Sequence, residues 1–345
     1  MEKFITVGEI MLRLTPPHYD KIRAATSFEA SYGGSEANIA LALANLGIDS
    51  TFFSVVPDNS LGKSAVRMLR SNDVHCSPVI LSTPEETPTH RLGTYYLETG
   101  YGIRPSKVTY DRKHSAFTEY DFERVDVDAL LEGFGWLHMS GITPALSKSC
   151  ADFTLKILRK AREKKLTVSF DGNFRSTLWT WNEARDFCTQ CLPYVDVLLG
   201  IEPYHLPKDS GGDVKDDIPF QPNYEQQAGV FEEFVRRYDN IKCIARHVRY
   251  AHTGSENSLK AYMWYGGRTY ESKLFTFTIL DRVGGGDAFA SGLIYAMLKG
   301  YTPDDMINFA VASSVIKHTI RGDGNITDDA KTIRNIMNMN YDIKR

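Results

Sequence analysis

Asp281-Arg282-Val283-Gly284-Gly285-Gly286-Asp287 runs directly into the apolar segment Ala288 to Leu298. Three glycines expose consecutive backbone N–H groups, and a helix starting after them adds unpaired donors and the positive end of its dipole. Such a row of amides cradles a phosphate. Asp287 at the junction would repel that phosphate unless a donor hydroxyl, a metal or the amides compensate, so its position suits removal of a proton during phosphoryl transfer. Asp and Gly also cap helices without any chemistry, and this segment alone leaves capping and catalysis both open.

Two further segments carry polar groups at places where a ligand could arrive. Gly33-Gly34-Ser35-Glu36-Ala37-Asn38 precedes an Ala-rich run ending at Gly47. Paired glycines let a ligand approach the backbone, and Asn38 offers a donor and an acceptor to hydroxyls or a carboxylate. Close helix packing through small residues is the alternative use of the same segment. Asp171-Gly172-Asn173-Phe174-Arg175 follows the expected strand Leu166 to Phe170. In open α/β sheets ligands bind beyond the strand C-termini, so Asp171, Asn173 and Arg175 are candidates to face a crevice. Arg175 can hold an anion with forked donors or form a surface ion pair. Tyr110, Arg112 and Lys113 make another anion-friendly cluster, or a solvated hairpin. Two look-alikes fail: Leu61-Gly62-Lys63-Ser64 has Pro57 where a Walker A loop needs its leading glycine, and Gly284-x-Gly286 has Phe289 where a dinucleotide fingerprint needs its third.

Positioning these groups requires a scaffold. Phe4 to Val7, Thr51 to Val56, Trp136 to Met139, Leu166 to Phe170, Val195 to Leu199 and Lys242 to Ala245 are short, apolar and rich in β-branched or aromatic residues, as buried strands are. Helical spacing marks Glu36 to Leu46, Leu61 to Ser71, Leu146 to Lys164, Trp181 to Leu192 and Glu225 to Tyr238 between them, then Gly286 to Lys299, Pro303 to Thr319 and Thr327 to Met337. This alternation predicts an α/β fold, a parallel sheet covered by helices on both faces. Met11 to Ser31 and His90 to Ser115 break the pattern with Tyr- and Thr-rich possible strands, and we expect a small lid there. Pro207 to Pro222 lacks periodicity and is expected to be an exposed insertion.

Composition bounds the function. The 345 residues are 42% hydrophobic and 24% charged, enough to bury a large core, and the net charge of −3 gives no basic excess for nucleic acid or an anionic membrane. Small-molecule chemistry is favoured. Five scattered cysteines argue against a disulfide scaffold, and Cys188-x-x-Cys191 has no second pair at zinc-ligand spacing. Neither a signal segment nor an apolar run of membrane-spanning length is present, so a cytoplasmic location is expected.

The Gly33 to Asn38 helix start and the Gly284-Gly285-Gly286-Asp287 loop, in their order and separation, resemble the two signatures of ribokinase-like (PfkB) carbohydrate kinases, and the similarity covers almost the whole chain. Within that family, Tyr110-Asp111-Arg112-Lys113 with Ser115-Ala116, Asp171 to Arg175 followed by Leu178-Trp179, Asp281 to Asp287, and Lys317-His318-Thr319 look most like the 2-keto-3-deoxygluconate kinase subgroup. The resemblance implies one three-layer α/β/α domain over residues 1–345, with lid segments at about 11–31 and 90–115. It implies ATP-dependent phosphorylation of the 6-hydroxyl of 2-keto-3-deoxygluconate, with Asp287 as base, the amides of Gly284, Gly285 and Gly286 as anion hole, and Mg²⁺ accompanying ATP. Gly34, Tyr95, Tyr110, Arg112 and Arg175 would contact the sugar acid, alongside Asn38, Asp171 and Asn173, with the arginines suited to its carboxylate.

Some positions depart from the family pattern. Gly200-Ile201-Glu202-Pro203 stands where the family carries Asn-x-x-Glu, which leaves Glu202 to serve a metal through water. Arg249 replaces a Thr contact to the nucleotide, beside Gly284 and Gly286, and Asp281-Arg282 in place of Asp-Thr leaves a monovalent-cation site open. The rivals are the same chemistry on fructose or 5-keto-2-deoxygluconate, and a weakly catalytic sugar-acid and nucleotide sensor. Exposed lid edges favour a homodimer or higher homo-oligomer through the lid.

Overall fold

The computed structural model describes residues 3–326 and 329–342. Its centre is a nine-stranded sheet in the spatial order Arg268–Glu271, Glu256–Tyr265, Cys243–Ala251, Val197–Leu199, Thr167–Asp171, Trp136–Ser140, Phe4–Val7, Ser50–Phe53, with Phe275–Thr278 also pairing Glu256–Tyr265. Pairing is parallel from Ser50–Phe53 through Cys243–Ala251 and antiparallel beyond. The parallel strands are buried on both faces, which is why they read as continuous apolar runs. One core packs Lys148–Glu163, Trp181–Cys191 and Tyr224–Arg237 against one face. The other packs Ser35–Asn45, Gly285–Leu298, Pro303–Lys317 and Ala330–Met337 against the opposite face, completing three α/β/α layers.

A second sheet, in the order Glu29–Gly33, Met11–Thr15, Thr94–Glu98, Lys107–Asp111, forms the small β lid. Its outer strand Lys107–Asp111 is exposed along its whole length, whereas Tyr95 and Leu97 of its neighbour are buried.

Several boundaries differ from expectation for identifiable reasons. The apolar run Thr51 to Val56 is two strands interrupted at Ser54: Ser50–Phe53 joins the main sheet and Val55–Pro57 pairs with Ile80–Ser82. The strand expected to end at Ala245 continues to Ala251, because its second half pairs antiparallel with Glu256–Tyr265, where burial is partial and polar residues are admitted. The last helix begins at Ala330; Thr327 and Asp328 of the expected span lie outside the described residues. Residues 207–222 are irregular apart from a 3-10 turn at Val214–Asp217, but the segment is anchored by the buried Lys215 ammonium, 2.6 Å from both the Tyr204 carbonyl and the Asp213 carboxylate. All five cysteines are buried and unpaired, and no described helix is long and apolar enough to cross a membrane.

Candidate active site

Most of the longer helices begin under a capping side chain: Asn59, Ser147, Thr180, Asn223, Thr302 and Asp329 each accept a first-turn amide. Ser35–Asn45 and Gly285–Leu298 do not; Gly34 and Gly284 stand at their N-cap positions. The first amides of a helix have no intrahelical acceptor, so these two starts keep donors for something else. They also meet. Asp287, in the first turn of one, accepts hydrogen bonds of 2.7 Å from Ser35 Oγ and 2.7 Å from Asn38 Nδ2 of the other. Burial raises the Asp287 carboxyl above the usual range, while the Asn38 and Ser35 bonds and the Arg175 charge oppose the rise.

Glycine is required where the loop turns. Gly284 has φ of 81°, and a Cβ there would collide with the Asp323 carbonyl oxygen; one at Gly285 would strike the His318 ring. At Gly286 a Cβ finds room, 3.9 Å from His247 Cε1. Behind the loop, Asp281 accepts from the Val283 amide (3.1 Å), the Gly322 amide (3.0 Å) and Arg13 Nη2 (2.5 Å). Arg13 Nη1 holds Asp323 at 2.7 Å. The buried Lys317 ammonium donates to the carbonyl of Ile320 at 3.2 Å and meets that of Asp281 at 3.5 Å. The surroundings of Asp281, where the sequence left a monovalent cation open, thus already hold two cationic side chains.

Above Asp287 lies a cavity of about 540 Å³. Gly34, Asn38, Tyr95, Tyr110, Arg112, Asp171, Asn173, Arg175, Arg249 and the loop from Gly284 to Asp287 all line it. Several of these side chains also make internal contacts. Asn38 turns both ends of its amide inward, its Nδ2 donating to Asp287 and its Oδ1 accepting from the Gly34 amide (3.4 Å). Gly34 is small because a Cβ would strike the Glu9 carbonyl, which is the packing use of the segment. The Tyr95 hydroxyl donates to Asp323, leaving its ring as cavity wall. Arg112 commits Nε (2.9 Å) and Nη2 to Glu9, whose other oxygen accepts from Ser115 Oγ at 2.5 Å. Only Nη1 lies outside that buried pair.

Opposite the lid, Asn173 has φ of 39°, donates to Ser35 Oγ at 3.1 Å and is held by its own amide on Asp171 Oδ1 at 2.9 Å. Burial, then the Asp287 charge, pushes Asp171 up to about 7, against the Arg175 charge. Arg175 is exposed and donates weakly to the carbonyls of Asn173 (3.5 Å) and Phe174 (3.2 Å), which leaves its charge available.

A second cavity of about 590 Å³ adjoins the first across Asp171, Asn173, Arg175, His247, Arg249, Arg282 and Gly286. Glu202, the buried Phe289 and the exposed Phe220 line the rest of it. Glu202 is raised by burial, with Lys215 and Arg246 opposing. Among the described residues no group of three or more acidic, His or Cys side chains could hold a metal alone. Two carboxylates, Glu202 and Asp171, do face this cleft beside Gly286, which fits a Mg²⁺ carried on phosphate oxygens and water.

Four contributors escaped the sequence reading as site residues: Glu9, Ser35, His247 and Arg282. Ser35 sits inside the Gly33 to Asn38 motif, and Glu9 follows the first buried strand at the same C-terminal sheet edge that marked Asp171. His247 and Arg282 gave only the signal of lying beside Arg249 and Gly284.

Residues 1–202 match the sequence model of the pfkB family carbohydrate kinases. The 2-dehydro-3-deoxygalactonokinase of Haloferax volcanii is 32% identical over 93% of this chain and 92% of its own. The 2-dehydro-3-deoxygluconokinase of Bacillus subtilis is 28% identical over 92% of this chain and 90% of its own. The crystal structure of 2-dehydro-3-deoxygluconokinase from Thermotoga maritima superposes with a TM-score of 0.88 at 36% identity, covering 98% of this chain and all of that one.

Proposed function

The chain belongs to the pfkB family of carbohydrate kinases, and on that premise we propose that it transfers the γ-phosphoryl group of ATP to the 6-hydroxyl of 2-keto-3-deoxygluconate. The observation that carries the reading is Asp287: a carboxylate held by Ser35 and Asn38, at the start of an uncapped helix, in a cavity joined to a second one. An alcohol in the first cavity and a triphosphate in the second meet there.

In this reading Asp287 takes the hydroxyl proton as the oxygen attacks phosphorus. Ser35 and Asn38 keep the carboxylate aimed and favour its charged form. The amides of Gly284, Gly285 and Gly286 receive the phosphoryl oxygens, where preorganised donors cost no reorganisation. Mg²⁺ bound with ATP would neutralise charge on the phosphate oxygens, and Glu202 and Asp171, which line the second cavity, would hold it through water. A sugar acid suits the cavity because Arg175 and Arg112 Nη1 offer cationic donors that a neutral sugar does not need. Closing the lid over the cavity would exclude water and spare ATP from hydrolysis.

The test is ADP release with Mg-ATP across a panel of fructose, ribose, 5-keto-2-deoxygluconate, 2-keto-3-deoxygluconate and its C4 epimer. The expected result is kcat/KM at least about tenfold higher for the 2-keto-3-deoxy acids than for the neutral sugars. Preference for a neutral sugar overturns the substrate assignment, and binding of sugar acid and ATP without ADP formation overturns the kinase reading in favour of a sensor.

A further inference from the structure

Arg282 lies one residue past the anchored Asp281 and two before Gly284, and it lines both cavities. So does Arg249, from the Cys243–Ala251 strand. Of the other cationic groups nearby, Arg13 is spent on Asp281 and Asp323, Arg112 on Glu9 and Lys317 on carbonyls, while Arg175, which also lines both cavities, is exposed on the side of Asn173 and Phe174. Arg249 and Arg282 have no carboxylate within ion-pair distance among the described residues, and Arg249 Nε is buried without a hydrogen-bond partner. Burial lowers both guanidinia, Arg249 to about 10 with the charge of Arg282 adding to the effect. Two like charges side by side repel, and an anion shared between them turns that repulsion into binding.

The place where they converge narrows the anion. A substrate carboxylate would sit within the first cavity and the α- and β-phosphates of a nucleotide within the second, whereas these two side chains border the junction, which Gly286 also lines. Only the group that moves from one cavity to the other must cross it.

We propose that Arg282, with Arg249, binds the oxygens of the phosphoryl group during transfer. The inference rests on the kinase reading above. In the step, the sugar 6-oxygen forms its bond to the γ-phosphorus and its proton passes to Asp287. The bond from phosphorus to the β–γ bridging oxygen breaks, and that electron pair leaves with ADP. Charge spreads over the equatorial and leaving oxygens as the bonds exchange, so a forked donor at the junction binds the transition state more tightly than either ground state.

The test compares Arg282→Gln and Arg282→Lys with the wild type. Arg282 keeps one side in solvent, so both variants are expected to fold. Arg282→Gln should lower kcat by about 10²–10³ while KM for the sugar acid changes less than about threefold. Arg282→Lys, which keeps the charge and loses the fork, should recover part of the loss, and added guanidinium should partly rescue Arg282→Ala. Independently of turnover, binding of ADP, Mg²⁺ and aluminium fluoride in the presence of 2-keto-3-deoxygluconate should weaken at least about tenfold more than binding of Mg-ATP. Turnover of Arg282→Gln within threefold of an active wild type overturns the proposal. So does a loss confined to KM for the sugar acid, which would make Arg282 a carboxylate ligand, or equal weakening of ATP and the fluoroaluminate complex. A wild type that makes no ADP sinks the kinase reading itself and is thereby distinguished from these outcomes.

Discussion

Asp287→Asn isolates the base from its surroundings. The amide has the same shape, and its oxygen can keep the 2.7 Å bond from Asn38 Nδ2 while its NH₂ turns to Ser35 Oγ, a hydroxyl able to accept. The substitution also removes a carboxylate that burial makes costly to ionise, so the folded state should lose nothing, and unfolding should stay within about 1 kcal/mol of the wild type or shift upward. What disappears is the proton acceptor. A general base contributes about 10²–10⁴ in rate, or roughly 3–5 kcal/mol at 1.36 kcal/mol per decade. Coupled ADP-release kinetics should therefore show kcat reduced by at least about 10², with both KM values within about threefold. Titration calorimetry should show Mg-ATP and sugar acid still bound. Turnover within tenfold of wild type would refute the assignment of the proton transfer to this carboxylate, and loss of binding alongside turnover would mean that Asp287 holds the site together instead.

Other perturbations separate neighbouring roles. Gly284→Ala forces a side chain into φ of 81° and onto the Asp323 carbonyl, so thermal unfolding should register a loss of at least about 1–2 kcal/mol, whereas Gly286→Ala, with room at its Cβ, should keep its melting temperature yet lose at least about tenfold in kcat by intruding on the anion hole. Arg112→Ala leaves the buried Glu9 carboxylate unpaired and should cost about 3–5 kcal/mol in denaturant unfolding; Arg112→Met with Glu9→Gln should recover most of it, a recovery absent if the two groups do not interact. Burial, then the charge of Asp287, raises Glu36 to about 7, against the 2.6 Å bond from Ser140 Oγ. The folded state then holds this proton over a range where the unfolded chain has released it. The resulting stability is full below about pH 4 and lost as pH rises through about 7, at most about 3 kcal/mol. Glu36→Gln should flatten that part of the unfolding profile, and an unchanged profile would contradict it.

The two helix starts were legible because their signal is local: glycines where other helices carry Ser, Thr, Asp or Asn, followed by an acid or amide within the first turn. The parallel strands were legible for the same reason, since burial on both faces leaves an apolar run. Contacts between distant segments were not. Asn38 and Arg112 were recognised as polar groups near a ligand, yet nothing nearby in sequence shows that Asn38 spends itself on Asp287 or that Arg112 meets Glu9. The segment Glu256 to Thr278 gave no strand expectation although it supplies three: the outer two are partly exposed and mix polar with apolar residues, and Glu256–Tyr265, although mostly buried between neighbours, has its apolar run broken by Asn257, Ser258 and Lys260. Arg282 registered only as a departure from a motif; its meaning depends on the junction of two cavities, a property of the folded chain.

The kinase reading requires an alcohol, a terminal phosphate, the Asp287 carboxylate and the glycine amides to converge on one point. A crystal structure of the protein with 2-keto-3-deoxygluconate, Mg²⁺ and a non-hydrolysable ATP analogue tests it most directly. The expected result is the 6-hydroxyl within hydrogen-bond distance of Asp287 and the γ-phosphate oxygens on the amides from Gly284 to Gly286. A γ-phosphate bound away from those amides, or a sugar acid whose 6-hydroxyl points away from Asp287, would contradict it.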